Sequence, residues 1–377
     1  CGNASTTSAT FTIIDDTDPT ITTQASNLEV QCDGAGNTAQ LNAWLASNGG
    51  AVASDICSNV TWTNNFASVS DTCGATGSAT VTFTATDNCG NASTTSATFT
   101  IIDDTDPTIT TQASNLEVQC DGAGNTAQLN AWLASNGGAV ASDVCSNVTW
   151  TNNFASVSDT CGATGSATVT FTATDNCGNA STTSATFTII DDTDPTITTQ
   201  ASNLEVQCDG AGNTTQLNAW LASNGGAVAS DVCSNVTWTN NFASVSDTCG
   251  ATGSATVTFT ATDNCGNTST TSATFTIIDD TDPTITTQAS NLEVQCDGNG
   301  NTAQLNAWLA SNGGAVASDV CSNVTWTNNF ASVSDTCGAT GSATVTFTAT
   351  DNCGNASTTS ATFTIIDDTD PTITTQA

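Results

Sequence analysis

Residues 79–86, ATVTFTAT, alternate without a break, with Ala79, Val81, Phe83 and Ala85 on one face and Thr80, Thr82, Thr84 and Thr86 on the other. A period of two marks a strand with one face buried and one in water. The same pattern extends outward. Val60 and Trp62 alternate with Thr61 and Thr63. Leu28, Val30 and Cys32 alternate with Glu29 and Gln31, and Ala97, Phe99 and Ile101 with Thr98 and Thr100. Clusters of Gly, Asn, Asp and Ser separate these runs, as turns require. One segment has a different period: Leu41, Trp44 and Leu45 share a helical face. The pattern predicts a short helix over 38–47, with Asn37 as its cap, Gln40 at the third position and Gly49 beyond its end. Trp44 and Trp62 are the expected core anchors.

The phrase CGNASTTSATFTIIDDTDPTITTQA opens the chain at Cys1 and closes it at Ala377, and CGN recurs at Cys89, Cys177, Cys265 and Cys353. The period is therefore 88 residues, and four periods plus 25 residues fill the 377. The expected organisation is the last strand of a preceding repeat at 1–16, then repeats at 17–104, 105–192, 193–280 and 281–368. Residues 369–377 would start another, so the chain reads as a window on a longer array. The copies differ little: Ile56 corresponds to Val144, Ala39 to Thr215, Ala35 to Asn299 and Ala92 to Thr268. Selection for one unique active site would not leave this pattern.

Lys, Arg, His, Tyr and Met are absent, and 35 acidic residues give a formal charge of −35. Without a basic side chain no internal ion pair forms, trypsin has no site, and binding to nucleic acid or anionic lipid is not expected. No apolar run of membrane-spanning length occurs, so no direct membrane insertion is expected of these residues. Each repeat carries four cysteines, without CxxC pairs or histidine, which argues for disulfides in an oxidising, extracellular compartment rather than for zinc. A repeat of this size has a small core and benefits from such a staple. Four cysteines allow three pairings, and the residues alone do not choose among them.

From Asp18 to Asp104 the chain shows DPTIT, then AVASDIC, then TVTFTATDNCGN, and a last strand ending in IIDDTDP. In these motifs every full repeat resembles the HYR-like (hyalin-repeat-like) immunoglobulin-type domain of large secreted surface proteins and adhesins of Bacteroidota. The resemblance implies an all-β class of tandem immunoglobulin-like β-sandwiches, here with one short helical insertion each. It also implies that the loops holding Asp55 with Cys57 and Asp87 with Cys89 lie at one pole, with Cys32 and Cys73 toward the other. On that basis Cys57 pairs with Cys89, and Cys32 with Cys73. The same rule pairs Cys145 with Cys177, Cys120 with Cys161, Cys233 with Cys265, Cys208 with Cys249, Cys321 with Cys353, and Cys296 with Cys337. Each such loop would stabilise by roughly 3 to 4 kcal/mol. Cys1 would find its partner upstream.

The sharpest chemical constellation is the linker Asp15, Asp16, Thr17, Asp18, Pro19, repeated from Asp103, Asp191, Asp279 and Asp367. Crowded carboxylates without nitrogen or sulfur competitors suit Ca²⁺. The expected sets are Asp15, Asp16 and Asp18 with Asp55 and Asp87; Asp103, Asp104 and Asp106 with Asp143 and Asp175; Asp191, Asp192 and Asp194 with Asp231 and Asp263; and Asp279, Asp280 and Asp282 with Asp319 and Asp351. The pattern is similar in kind to the acidic calcium linkers of cadherins. The other reading, which stays open, is that these residues form turns by accepting nearby backbone amides. For Asp33 and Asp71 the turn reading is the stronger.

Paired carboxylates serve acid–base catalysis when a cleft separates their environments. Here they recur in every repeat with no residue to assist them, so no enzyme is expected. The Thr-rich faces follow from two-sided patterning, with glycan or ice binding as the functional alternative. The expected role is an extracellular stalk or filament segment at the cell surface that extends a terminal adhesive domain. Its partners would be neighbouring repeats and lateral copies. The alternative is repeats that bind surface glycans themselves, through multivalency.

Overall fold

The computed structural model describes residues 1–334 and 336–374. It comprises two compact units, Cys1–Asp191 and Asp192–Ala377, each holding two copies of one module.

In the first module β1 spans Thr20–Thr23, β2 Leu28–Gln31, α1 Thr38–Ala46, β3 Val52–Ser54, β4 Thr61–Asn64, β5 Gly77–Thr86 and β6 Ala92–Ile102. Four strands form one sheet in the order β2-β6-β5-β4, and β1 with β3 forms a second. β2 runs parallel to β6, with Leu28 opposite Phe99 and Val30 opposite Ile101. β6 and β5 are antiparallel from Gly77 opposite Ile101 to Thr86 opposite Ala92, and Trp62 on β4 faces Ala85. This is an immunoglobulin-like sandwich in which the first sheet strand returns to pair with the last. The module recurs as β7 (Thr108–Thr111) to β12 (Ala180–Ile190), β13 (Thr196–Thr199) to β18 (Thr268–Ile278), and β19 (Thr284–Thr287) to β24 (Ala356–Ile366).

Alternation decides which face is buried. Val81, Phe83, Ala85 and Phe99 are fully inside, each large side chain contributing about 1.5–3 kcal/mol on burial. Leu41 and Trp44, three apart on α1, close the core from above. The Trp44 ring meets Phe83 edge-on at 5.3 Å and Phe99 at 5.7 Å, and its indole N–H donates to the Ser26 carbonyl at 3.0 Å. The helix lies where the sequence places it, but its cap differs. Asn37 is left-handed (φ 49°) and its side chain does not cap. It donates instead to the Gln31 carbonyl at 2.8 Å and accepts from the Asp33 amide, because it is fully buried and must satisfy the loop that joins β2 to α1.

Residues 1–16 form no strand, although their sequence is that of 89–104, which contains β6.

Candidate functional site: the acidic, disulfide-bonded joint

Cys32 follows β2, and its amide donates to the carbonyl of Ile102 at 2.8 Å. This puts it at the pole where the chain leaves the module. Cys73 lies in a turn closed by Thr76, whose hydroxyl donates to the Cys73 carbonyl at 2.7 Å. The cysteines of the next module reach them there: Cys32 is bonded to Cys145, and Cys73 to Cys177. In the second unit Cys208 is bonded to Cys321, and Cys249 to Cys353. The expected pairings of Cys57 with Cys89, Cys32 with Cys73, Cys145 with Cys177, Cys208 with Cys249, Cys321 with Cys353 and Cys296 with Cys337 are therefore corrected. The assignment of cysteines to opposite poles holds. The partners lie across the joint because the exit pole of one module abuts the entry pole of the next. Cys120, Cys161, Cys233 and Cys265 are also in disulfides, while Cys1, Cys57, Cys89, Cys296 and Cys337 are free thiols.

Backbone seals the same joint. The Ala75 amide donates to the Cys145 carbonyl at 2.9 Å. Gly74 is left-handed (φ +61°), and a Cβ there would stand 2.5 Å from that carbonyl oxygen. Gly34 (φ +73°) lies as close to Val144, with 2.6 Å left for a Cβ. Only glycine supplies both the conformation and the room.

The acidic residues gather where the linker enters the second module. Asp103, Asp143 and Cys145 each present a ligand atom within 4.8 Å of the others, as do Asp279, Asp319 and Cys321. At the first module the sets are Asp15, Asp55 and Cys57, and Asp15, Asp87 and Cys89. Asp143 accepts the amides of Cys145 and Ser146 at 2.8 and 2.9 Å. Asp175 accepts those of Cys177, Gly178 and Asn179. Asn179 bridges the pieces, its side-chain amide donating to the Asp103 carbonyl at 3.1 Å and to Asp175 at 2.7 Å. The turn reading therefore describes Asp55, Asp87, Asp143, Asp175, Asp319 and Asp351, all of which accept local amides. It does not account for Asp103 and Asp279. One carboxylate oxygen of each accepts a linker amide, and that of Asp103 also the Gln31 side-chain amide at 3.5 Å, while the other, Oδ2, is buried without a hydrogen-bond partner, as is that of Asp15. An ionised oxygen so placed carries an uncompensated desolvation cost.

The charge balance follows from these contacts. Burial works against the charge of Asp175, but the Asn179 side chain and the amides of Asn179, Gly178 and Cys177 outweigh it and hold the carboxyl below its ordinary value. Burial pushes Asp103 the other way, and repulsion from Asp143, Asp175 and Asp104 adds to it against one bond from Thr105. Asp279 behaves likewise, with Asp319, Asp351 and Asp280 as its neighbours.

Other expected ligands stand apart. Asp16, Asp104, Asp192 and Asp280 are exposed, as is Asp18. Asp106, Asp194 and Asp282 accept the first amide of the last strand, from Ala180, Thr268 and Ala356. Asp231 and Asp263 do not stand apart; they form the same local turns as Asp143 and Asp175. Sequence reasoning missed the bridging asparagines Asn91, Asn179 and Asn355. Their position after DNCG in every repeat was the available signal.

No protein family matches the chain, and no curated protein does. Solved structures similar to it include the protocadherin gamma B4 extracellular domain, 12% identical, covering 93% of this chain and 67% of that one with a TM-score of 0.35. Cadherin domains 1–5 of protocadherin gamma B2 are 11% identical, with coverages of 95% and 82% and a TM-score of 0.33. Domains 1–4 of Drosophila N-cadherin are 9% identical, with coverages of 92% and 100% and a TM-score of 0.21. Each is a likeness in repeat organisation and no more.

Proposed function

We propose that this chain is a structural segment of an extracellular array, a stalk whose repeats are stapled to one another, and that it performs no catalysis. The observation that carries this reading is the pairing of Cys32 with Cys145 and of Cys73 with Cys177, which adds two covalent links across a joint already crossed by the peptide linker. Bonds placed between modules serve continuity and stiffness, and the sulfurs of Cys32 and Cys145 also join the first module's buried core. They also require an oxidising compartment. Grooves along the chain, such as that lined by Cys249, Ile277 and Asp279, are open, and no residue beside them supplies a base other than a carboxylate. No helix among the described residues is long and apolar enough to cross a membrane. An adhesive role for the Thr faces gains no support, since Thr80 with Thr98 and Thr82 with Ser96 spend their hydroxyls on each other at 3.0 and 2.9 Å.

The stapled joint is proposed to take Ca²⁺. Asp103, Asp143 and Asp175, with Asp279, Asp319 and Asp351 in the second unit, are hard oxygen donors of the kind Ca²⁺ selects. The partnerless Oδ2 of Asp103 and of Asp279 is the group that fits a cation. Bound cation would offset the repulsion at the linker and stiffen it. Small-angle scattering of the whole chain in millimolar Ca²⁺ and then in chelator tests this reading. Stiffening with Ca²⁺ is expected, and an unchanged profile would reject the cation while leaving the staples in place.

A further inference from the structure

The two staples of a joint are not equivalent. Cys32 and Cys145 are each 8% exposed and belong to the first module's core, whereas Cys73 and Cys177 are half-buried in surface turns. The second unit repeats the division, with Cys208 and Cys321 in a core and Cys249 and Cys353 half-buried. The loops they close differ too. The buried staple spans 113 residues and the outer one 104, in both units. A chain pulled taut along its length takes the shortest covalent route, and here that route leaves the polypeptide at Cys32 and re-enters it at Cys145. The residues between, with the core strands β5 and β6 and the linker among them, form a closed loop outside the line of pull. Fully extended, that loop would span about 370–410 Å. The outer staple offers a second route that omits fewer residues, so its loss alone releases no length.

We infer that each stapled joint is a redox-gated strap: the buried staple fixes the greatest length to which the chain can be drawn, and only its reduction, after the module opens, lets out the hidden loop. A dithiol reduces a staple by two exchanges. Its first thiolate displaces one cysteine sulfur to give a mixed disulfide, and its second displaces the other, so that two electrons pass, two cysteine thiols form and the dithiol closes to a cyclic disulfide. The attacking sulfur needs access, which the surface turns of Cys73 and Cys177 offer and the core around Cys32 and Cys145 does not. Reduction therefore runs in two stages. The outer staple goes first without change of length, and the buried one follows at the rate at which the module opens. The inference rests on the reading of the chain as a stapled stalk.

The test uses the whole chain. Under native conditions with dithiothreitol, timed alkylation and peptide mass spectrometry should show Cys73, Cys177, Cys249 and Cys353 freed about tenfold or more faster than Cys32, Cys145, Cys208 and Cys321. Held by its termini in an optical trap and drawn out fully, the oxidised chain should stop about 750 Å or more short of the reduced chain. Cys73→Ser with Cys177→Ser should leave the oxidised length unchanged, and adding Cys32→Ser and Cys145→Ser should lengthen it by about 200 Å or more. Equal reduction rates for the two kinds of staple, an oxidised chain as long as the reduced one, or lengthening on loss of the outer staple alone would each overturn the inference. Failure of the stalk reading is distinguishable: a chain cut in its linker would then separate without reductant, whereas equal reduction rates in a joint that stays linked reject the strap alone.

Discussion

Residues 1–16 and 89–104 have the same sequence, yet Phe11 is 88% exposed and Ile13 83%, while Phe99 and Ile101 are 0% and 4%. Alternation alone therefore does not make a strand; the strand needs β5 and β2 beside it.

The largest expected effect comes from cutting the staples of one joint. Cys145→Ser with Cys177→Ser releases crosslinks that span 113 and 104 residues. On the chain-entropy model the longer loop alone stabilises by about 4–5 kcal/mol. Denaturant unfolding should show at least that loss, and an unchanged midpoint would contradict the staples.

Phe99→Ala should cost about 3–5 kcal/mol through the cavity it leaves. Phe11→Ala, the same change in the same sequence, should stay within about 0.5 kcal/mol. A finer contrast sets Gly74 against Gly36, both left-handed (φ +61° and +76°), of which only Gly74 would bring a Cβ onto a neighbour, the Cys145 carbonyl. Gly36→Ala should cost about 1–2 kcal/mol for the conformation. Gly74→Ala should cost clearly more, and the excess measures the joint by thermal unfolding.

The smallest effect is one of sign. The amides of Asn37 and Ala35 hold Asp33 below its ordinary value, so its contribution is complete above the unfolded pKa and is lost as pH falls through the folded one. Asp103 is raised, by burial first and then by its acidic neighbours. Its ionisation therefore opposes folding at neutral pH, and the penalty fades as pH falls through its folded pKa. In chelator at neutral pH, Asp33→Asn should lower the melting temperature and Asp103→Asn should raise it. Identical signs would contradict this account of the joint.

Most of the module was legible in the sequence. The alternations at 79–86 and 97–101 and the spacing of Leu41 and Trp44 give the core. β1 and β3 are short, with one half-buried residue each, Ile21 and Ala53, too little for a period to register. The cap at Asn37 was misread because a buried loop claimed its side chain. The cysteine pairing could not be read, since identical repeats make a partner within a module and a partner 88 residues on the same residue type in the same motif. Only the abutment of opposite poles decides between them. Of the acidic set, the linker's first aspartate and the two loop aspartates converge, while Asp16, Asp18 and their copies serve the linker and the strand ends.

The central claim is that each staple crosses a joint, and the absence of Lys and Arg makes it directly testable. Thr105, exposed in the linker, becomes the one tryptic site in Thr105→Arg. After digestion the protein should migrate as a single full-length species without reductant and separate into residues 1–105 and 106–377 once reduced. Separation without reductant would place the disulfides within modules and contradict the account.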